Sequence, residues 1–142
     1  MKRTFLPPPL PPGLFARRGV SWGKVGQQAL MVVSRVSGIP VREIIGRRRT
    51  GDRMWAKFGA AWLMALYTPL SEVQARKLLG YREHTGFRYA VISFERWRAA
   101  PMYDEQARAL AAAFERQTKL KPLSLPCRMA LLDAAGGRKE GQ

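Results

Sequence analysis

Trp55, Phe58, Ala61, Trp62, Ala65 and Leu66 recur at intervals of three and four residues. That spacing gathers them on one face of a helix and scatters them over both faces of a strand. The same interval returns in Val25, Ala29, Val32, Val33 and Val36, in Phe87, Ala90, Val91, Phe94 and Trp97, and in Ala107, Leu110, Ala111 and Phe114. Four such stripes, separated by Pro and Gly, predict an all-α chain in which helices bury one face each. With 142 residues there is room for one domain with a modest core.

Punctuation sets the expected boundaries. A helix over 24–37 is stopped by Ser37-Gly38, and Pro40 then suits the first turn of a short helix of about two turns that ends at Gly46. Asp52 is the expected N-cap of the helix carrying Trp55 to Leu66, which Thr68-Pro69 terminates. Ser71-Glu72-Val73-Gln74 has the form of a capping box opening another short helix to Leu79. Gly80-Tyr81-Arg82 is the turn, and the next helix is expected from Glu83 or His84 to about Arg98. Pro101 separates a last long helix, over 104–117, which either packs back on the core or engages a partner.

The ends read differently. Residues 5–15 should form an extended polyproline-type arm that either docks on an aromatic groove or is a disordered leader, and Trp22 either caps the core or stays exposed. After Pro122 one short helix is expected over 128–134, then a disordered tail from Gly136. The expected organisation is thus an arm over 1–22, a helical domain over 23–98, and a helical extension with a tail over 99–142.

Lys and Arg number 25 against ten Asp and Glu, a formal net charge of +15. Residues 33–98 hold thirteen basic and five acidic residues, a net +8, whereas residues 99–142 carry seven and five, a net +2. Most of the cations are Arg, whose planar fork matches phosphates and guanine edges, so nucleic acid is the leading partner class. Anionic lipid and acidic proteins are the compositional rivals. The longest apolar run, Gly59 to Tyr67, is too short to span a bilayer, and Pro7 to Pro12 interrupt any secretion-type apolar helix. A cytoplasmic, nucleoid-associated protein is expected.

Two consecutive helices, over 71–79 and from residue 83, joined by a short Gly-containing turn, have helix-turn-helix proportions. In that motif the N-terminal residues of the second helix meet base edges, where Glu accepts from cytosine and a Thr methyl touches thymine. Arg47-Arg48-Arg49, set between Gly46 and Gly51 without an apolar residue, is a solvated basic loop suited to phosphate or minor-groove contact.

These residues carry a family resemblance. Without a gap, Val33 to Ala90 resembles the C-terminal duplex-binding domain of the bacterial chromosomal replication initiator DnaA. The matching pieces are Ile39-Pro40-Val41-Arg42-Glu43-Ile44-Ile45, the Arg47 to Arg49 loop, and Gly80-Tyr81-Arg82-Glu83-His84-Thr85 against the family's Gly-Gly-Arg-Asp-His-Thr-Thr signature. The resemblance implies a compact Trp-repressor-like helix-turn-helix fold. It puts Arg49 in the minor groove, Lys57 facing DNA, and Glu83, His84 and Thr85 in the major groove; Arg82, in the turn, and Arg88, on the second helix, are expected to join them at the DNA. Glu72 and Val73 fall where the family approaches the backbone and bases. This sequence departs from the pattern at Tyr81 (a small Gly in the family), Glu83 (Asp) and Gly86 (the second Thr); Glu72 replaces an apolar residue, and Ala65 stands where the family has a late lysine.

The chain contains no Gly-x-x-x-x-Gly-Lys-Ser/Thr loop, so the family's ATP-dependent module is not expected in these residues. Cys127 is the lone cysteine and His84 the lone histidine, which excludes an internal disulfide and a structural zinc site. Neither Ser71 nor Ser93 has a base nearby in sequence, and no carboxylate pair is evident; no enzyme, metal or cofactor is expected. The helical spacing of Trp55, Trp62, Phe87, Phe94 and Trp97 assigns them to a core, not to a single-strand stacking platform. The leading expectation is sequence-specific duplex-DNA binding in replication initiation or transcription. Its rivals are an adaptor that recruits a replication or transcription protein through the proline arm and the last helix, and a non-specific DNA coat.

Overall fold

The computed structural model describes residues 19–46, 50–81 and 86–122. Among the described residues every regular element is an α-helix: α1 (Trp22–Ser37), α2 (Val41–Ile44), α3 (Gly51–Tyr67), α4 (Glu72–Leu79), α5 (Gly86–Trp97) and α6 (Pro101–Thr118). The expected 5–15 arm, the 128–134 helix, Cys127 and the tail from Gly136 lie outside the described residues.

Helix ends follow local chemistry, with some shifts from expectation. Ser21 caps α1 through the Lys24 N–H, and Gly38, in the left-handed conformation at φ 79°, returns its N–H to the Ser34 carbonyl. Trp22 therefore opens α1, partly buried against the core. Helix α2 is a single turn over four residues, shorter than expected. In α3 the N-cap position falls on Thr50, not Asp52; Asp52 sits in the first turn, accepting from the Thr50 hydroxyl at 2.7 Å and the Arg53 N–H at 2.8 Å. Pro101 begins α6 instead of preceding it, because the first helical residue needs no N–H donor.

The capping box of α4 is present in full. The Ser71 hydroxyl accepts from the Gln74 N–H at 3.2 Å, and the Gln74 side chain accepts from the Ser71 N–H at 3.0 Å. At its other end Gly80 has φ 80°, and the Tyr81 N–H reaches back to the Arg76 carbonyl at 3.0 Å. This six-to-one closure turns the chain sharply out of α4.

Helix α3 is the axis of the molecule and touches each of the other five helices. The sequence pattern predicts one apolar stripe; the structure instead buries every residue from Phe58 to Thr68. A helix apolar all round belongs in the middle of a core. Its small residues, Ala56, Gly59, Ala60, Ala61 and Ala65, let neighbouring backbones approach. At Gly59 a Cβ would stand 3.0 Å from Leu110 of α6 and 3.3 Å from the Phe94 ring of α5. Trp62, Phe87 and Phe94 are buried as expected, with Trp55 and Trp97 packed partly buried against them.

Helix α6 packs back on the core. Ala107, Leu110 and Phe114 are fully buried, and the Phe114 ring meets Tyr67 with centroids 5.0 Å apart. The Tyr67 hydroxyl donates to Glu115, and burial followed by that acceptor pushes its ionisation well above the ordinary tyrosine range. A polar chain ties α6 to the other helices: Trp62 Nε1 donates to Glu95, Glu95 pairs with Arg98, and Arg98 Nε reaches Asp104 at 2.8 Å. Asp104 also accepts from Arg108 at 2.8 Å.

Two outcomes follow. Gly80→Ala should lower the unfolding free energy by about 1–3 kcal/mol in urea titrations, because an L residue at φ 80° is strained and its Cβ would meet the Ile45 carbonyl oxygen at 2.5 Å. Bonds from Arg108 first, then Arg98, hold the Asp104 carboxyl below its ordinary value of 3.8. A lowered folded-state pKa stabilises the fold above the unfolded value and loses that contribution as pH falls. Thermal midpoints of the wild type should therefore approach those of Asp104→Asn as pH drops below about 3.8, and exceed them at neutral pH.

Candidate nucleic-acid interface

The seven residues expected to contribute most directly, Arg47, Arg48 and Arg49 in the basic loop and Arg82, Glu83, His84 and Thr85 at the head of the second helix, lie outside the described residues. Their frame is described on all sides: Gly46 and Thr50 flank the first segment, Tyr81 and Gly86 the second.

That frame is one corner of the molecule. The turn at Gly80 lies so close to the end of α2 that a Cβ there would come within 2.5 Å of the Ile45 carbonyl oxygen. Lys57, from the middle of α3, ties the two sides together. Its ammonium donates to the Gly46 carbonyl at 3.2 Å and sits 4.5 Å from the centroid of the Tyr81 ring. Gly46, just before the arginine triplet, and Tyr81, the second residue of the signature segment, are thus held by a single side chain though far apart in sequence.

Tyr81 also explains Gly86. A Cβ at residue 86 would stand 2.7 Å from Tyr81 Cδ1 and 2.8 Å from Cγ, so the ring occupies the volume a side chain there would need. Two departures from the family pattern, a large residue in the turn and no side chain five positions later, are one substitution in steric terms.

The remaining expected site residues are distributed as follows. Glu72 is the first residue of α4 and Val73 the second, both half-buried. Arg88, third in α5, pairs with Glu72 across the two helices. Lys57 is half-buried in the corner.

One surface residue escaped the sequence reading. Tyr89 is 63% exposed, the most exposed large apolar side chain among the described residues, and lies on the side of α5 opposite Phe87, Ala90, Val91 and Phe94. Its ring is fixed edge-on against Phe58, centroids 5.9 Å apart at 90°. Position in the helical wheel was the available signal: Tyr89 follows Thr85 by four residues and precedes exposed Arg96 by seven.

Charge in this region is unevenly spent. The described carboxylates of residues 33–98 all have protein partners: Glu43 with Arg53, Asp52 with Thr50 and Arg53, Glu72 with Arg88, and Glu95 with Trp62 and Arg98. Arg42, Lys77 and Arg96 are exposed. Among the described residues no three His, Cys, Asp or Glu side chains are grouped to hold a metal, and no helix is long and apolar enough to cross a membrane. No protein-family model, curated protein or solved structure matches this chain.

If Tyr81 and Gly86 share one volume, their substitutions must be coupled. Gly86→Thr should destabilise the wild type by about 1–3 kcal/mol through overpacking. In a Tyr81→Gly background the same change should cost less by about 1–2 kcal/mol, read from a double-mutant cycle of urea midpoints.

Proposed function

We propose that this chain binds duplex DNA in a sequence-specific manner, with α4 and α5 as the two helices of a helix-turn-helix of the kind found in the duplex-binding domain of DnaA. In this reading the segment Arg82 to Thr85 and the exposed outer side of α5, including Tyr89, face the major groove. Arg47, Arg48 and Arg49 take the neighbouring phosphates and minor groove. Lys57 positions the two segments relative to each other and adds its charge.

The observation that carries the proposal is the shared corner. A basic loop and the head of a reading helix must meet one duplex at adjacent grooves, and here their roots, Ile45-Gly46 and Gly80-Tyr81, pack together under Lys57. The net +8 of residues 33–98 supplies the long-range attraction. The adaptor reading is less well supported, since the apolar face of α6 that a recruited protein would grip is already buried by α1 and α3. Sites resembling replication-initiator boxes are the proposed targets, in control of initiation or of transcription.

Selection from a random duplex pool tests this directly. A recovered consensus related to an initiator box is the expected result; recovery of unrelated sequences without consensus would leave only a coat. On the selected site the logarithm of affinity should fall with the logarithm of salt by about 0.9 per phosphate contact. His84→Ala with Thr85→Ala should lose about 1–3 kcal/mol of discrimination per lost base contact, whereas Arg49→Ala should also flatten the salt slope if it meets phosphate.

A further inference from the structure

Glu72 is out of place at an interface for phosphates. It opens α4, where backbone N–H groups and the helix dipole favour a negative charge, and its carboxylate accepts from the Arg88 guanidinium of α5 across the pair of helices. Each end of this ion pair is something a DNA phosphate would otherwise take: the N-terminus of one helix and an arginine near the head of the next. The two side chains are 26% and 29% exposed, so a docking polyanion can reach both. Two other described carboxylates of the region fasten helices elsewhere: Glu43 joins α2 to Arg53 of α3, and Glu95 joins α5 to Trp62.

Resting on the duplex-binding reading, we infer that Glu72 is an internal competitor for the DNA backbone. In the free protein its carboxylate stands in for a phosphate on Arg88 and at the head of α4, and binding exchanges it for a phosphate oxygen. A partly exposed ion pair is weak and screened by salt, so the exchange is readily made. Its consequence lies in the counterions. Arginines that release ions on meeting phosphate give affinity its salt dependence, and an arginine already neutralised by a carboxylate contributes little to that release. Glu72 therefore lowers the sequence-independent attraction of a chain with a net charge of +15, and base contacts then decide more of the total.

The test uses the full chain and its Glu72→Gln, Glu72→Asp, Arg88→Gln and Glu72→Gln/Arg88→Gln variants, titrated by fluorescence anisotropy onto a random-sequence duplex and onto the selected site. Glu72→Gln should bind the random duplex about three- to tenfold tighter near 0.1 M salt, with a log–log slope steeper by about 0.9. The gain should vanish in the Arg88→Gln background, Glu72→Asp should keep the wild-type slope, and the ratio of specific to random affinity should fall. Unchanged or weaker binding by a folded Glu72→Gln, checked by its melting curve, would overturn the competitor and leave Glu72 as a support for Arg88. The same gain in Glu72→Asp would overturn it too. A protein that shows the Arg88-dependent gain yet treats all duplexes alike keeps the competitor and loses the sequence-specific reading. One that prefers its site without the gain does the reverse. If no variant binds duplex, both fall.

Discussion

The structure depends on the close approach of five helices to α3. From Phe58 to Thr68 no side chain of this segment reaches solvent appreciably, so neighbours must cover it from every direction. Small residues make that possible: Gly59 admits Leu110 and Phe94 at distances a methyl group would crowd. Because interiors are packed at near-crystalline density, fixing α3 fixes the helices that lean on it. The aromatic contacts from Trp55 and Trp62 to Phe94, and from Phe58 to Trp97, hold the C-terminal end of α5.

At Lys57 of α3 this rigidity is converted into an arrangement of charge. Lys57 lies midway along the helix and reaches the backbone of Gly46 on one side and the ring of Tyr81 on the other. The ammonium thereby satisfies a carbonyl left over at the end of α2 and orders the exit from α4. Tyr81 serves two purposes, as the cation's aromatic partner and as the filler of the space above Gly86. The large Tyr81 and the bare Gly86 are thus sterically matched within this corner.

Local physics explains what could be read in advance. The stripes of α1, α5 and α6 identify their buried faces, apart from Val36, which is 47% exposed near the end of α1, because a period near 3.6 arises from helix geometry alone. Ser71 and Gln74 announced the start of α4, since a capping box involves four consecutive residues and nothing else. The start of α3 was misread by two residues: Asp52 was expected to cap the helix, whereas the cap position is Thr50 and Asp52 lies in the first turn. For the candidate site, residue types and spacing singled out the arginine triplet and the start of the second helix, whereas Lys57, Glu72 and Val73 entered only through the family resemblance. Tyr89 was missed although the stripe of α5 already left it on the face away from the core.

By itself, then, the sequence determined the helical class, most helix boundaries and the concentration of positive charge. These follow from intervals of a few residues and from composition. Only the tertiary structure decided that α3 is central rather than amphipathic, that α6 belongs to the core, that Lys57 joins Gly46 to Tyr81, and that Glu72 answers Arg88. Each of these is a meeting of residues ten or more positions apart, settled by how helices pack around α3, and no local pattern encodes such a meeting.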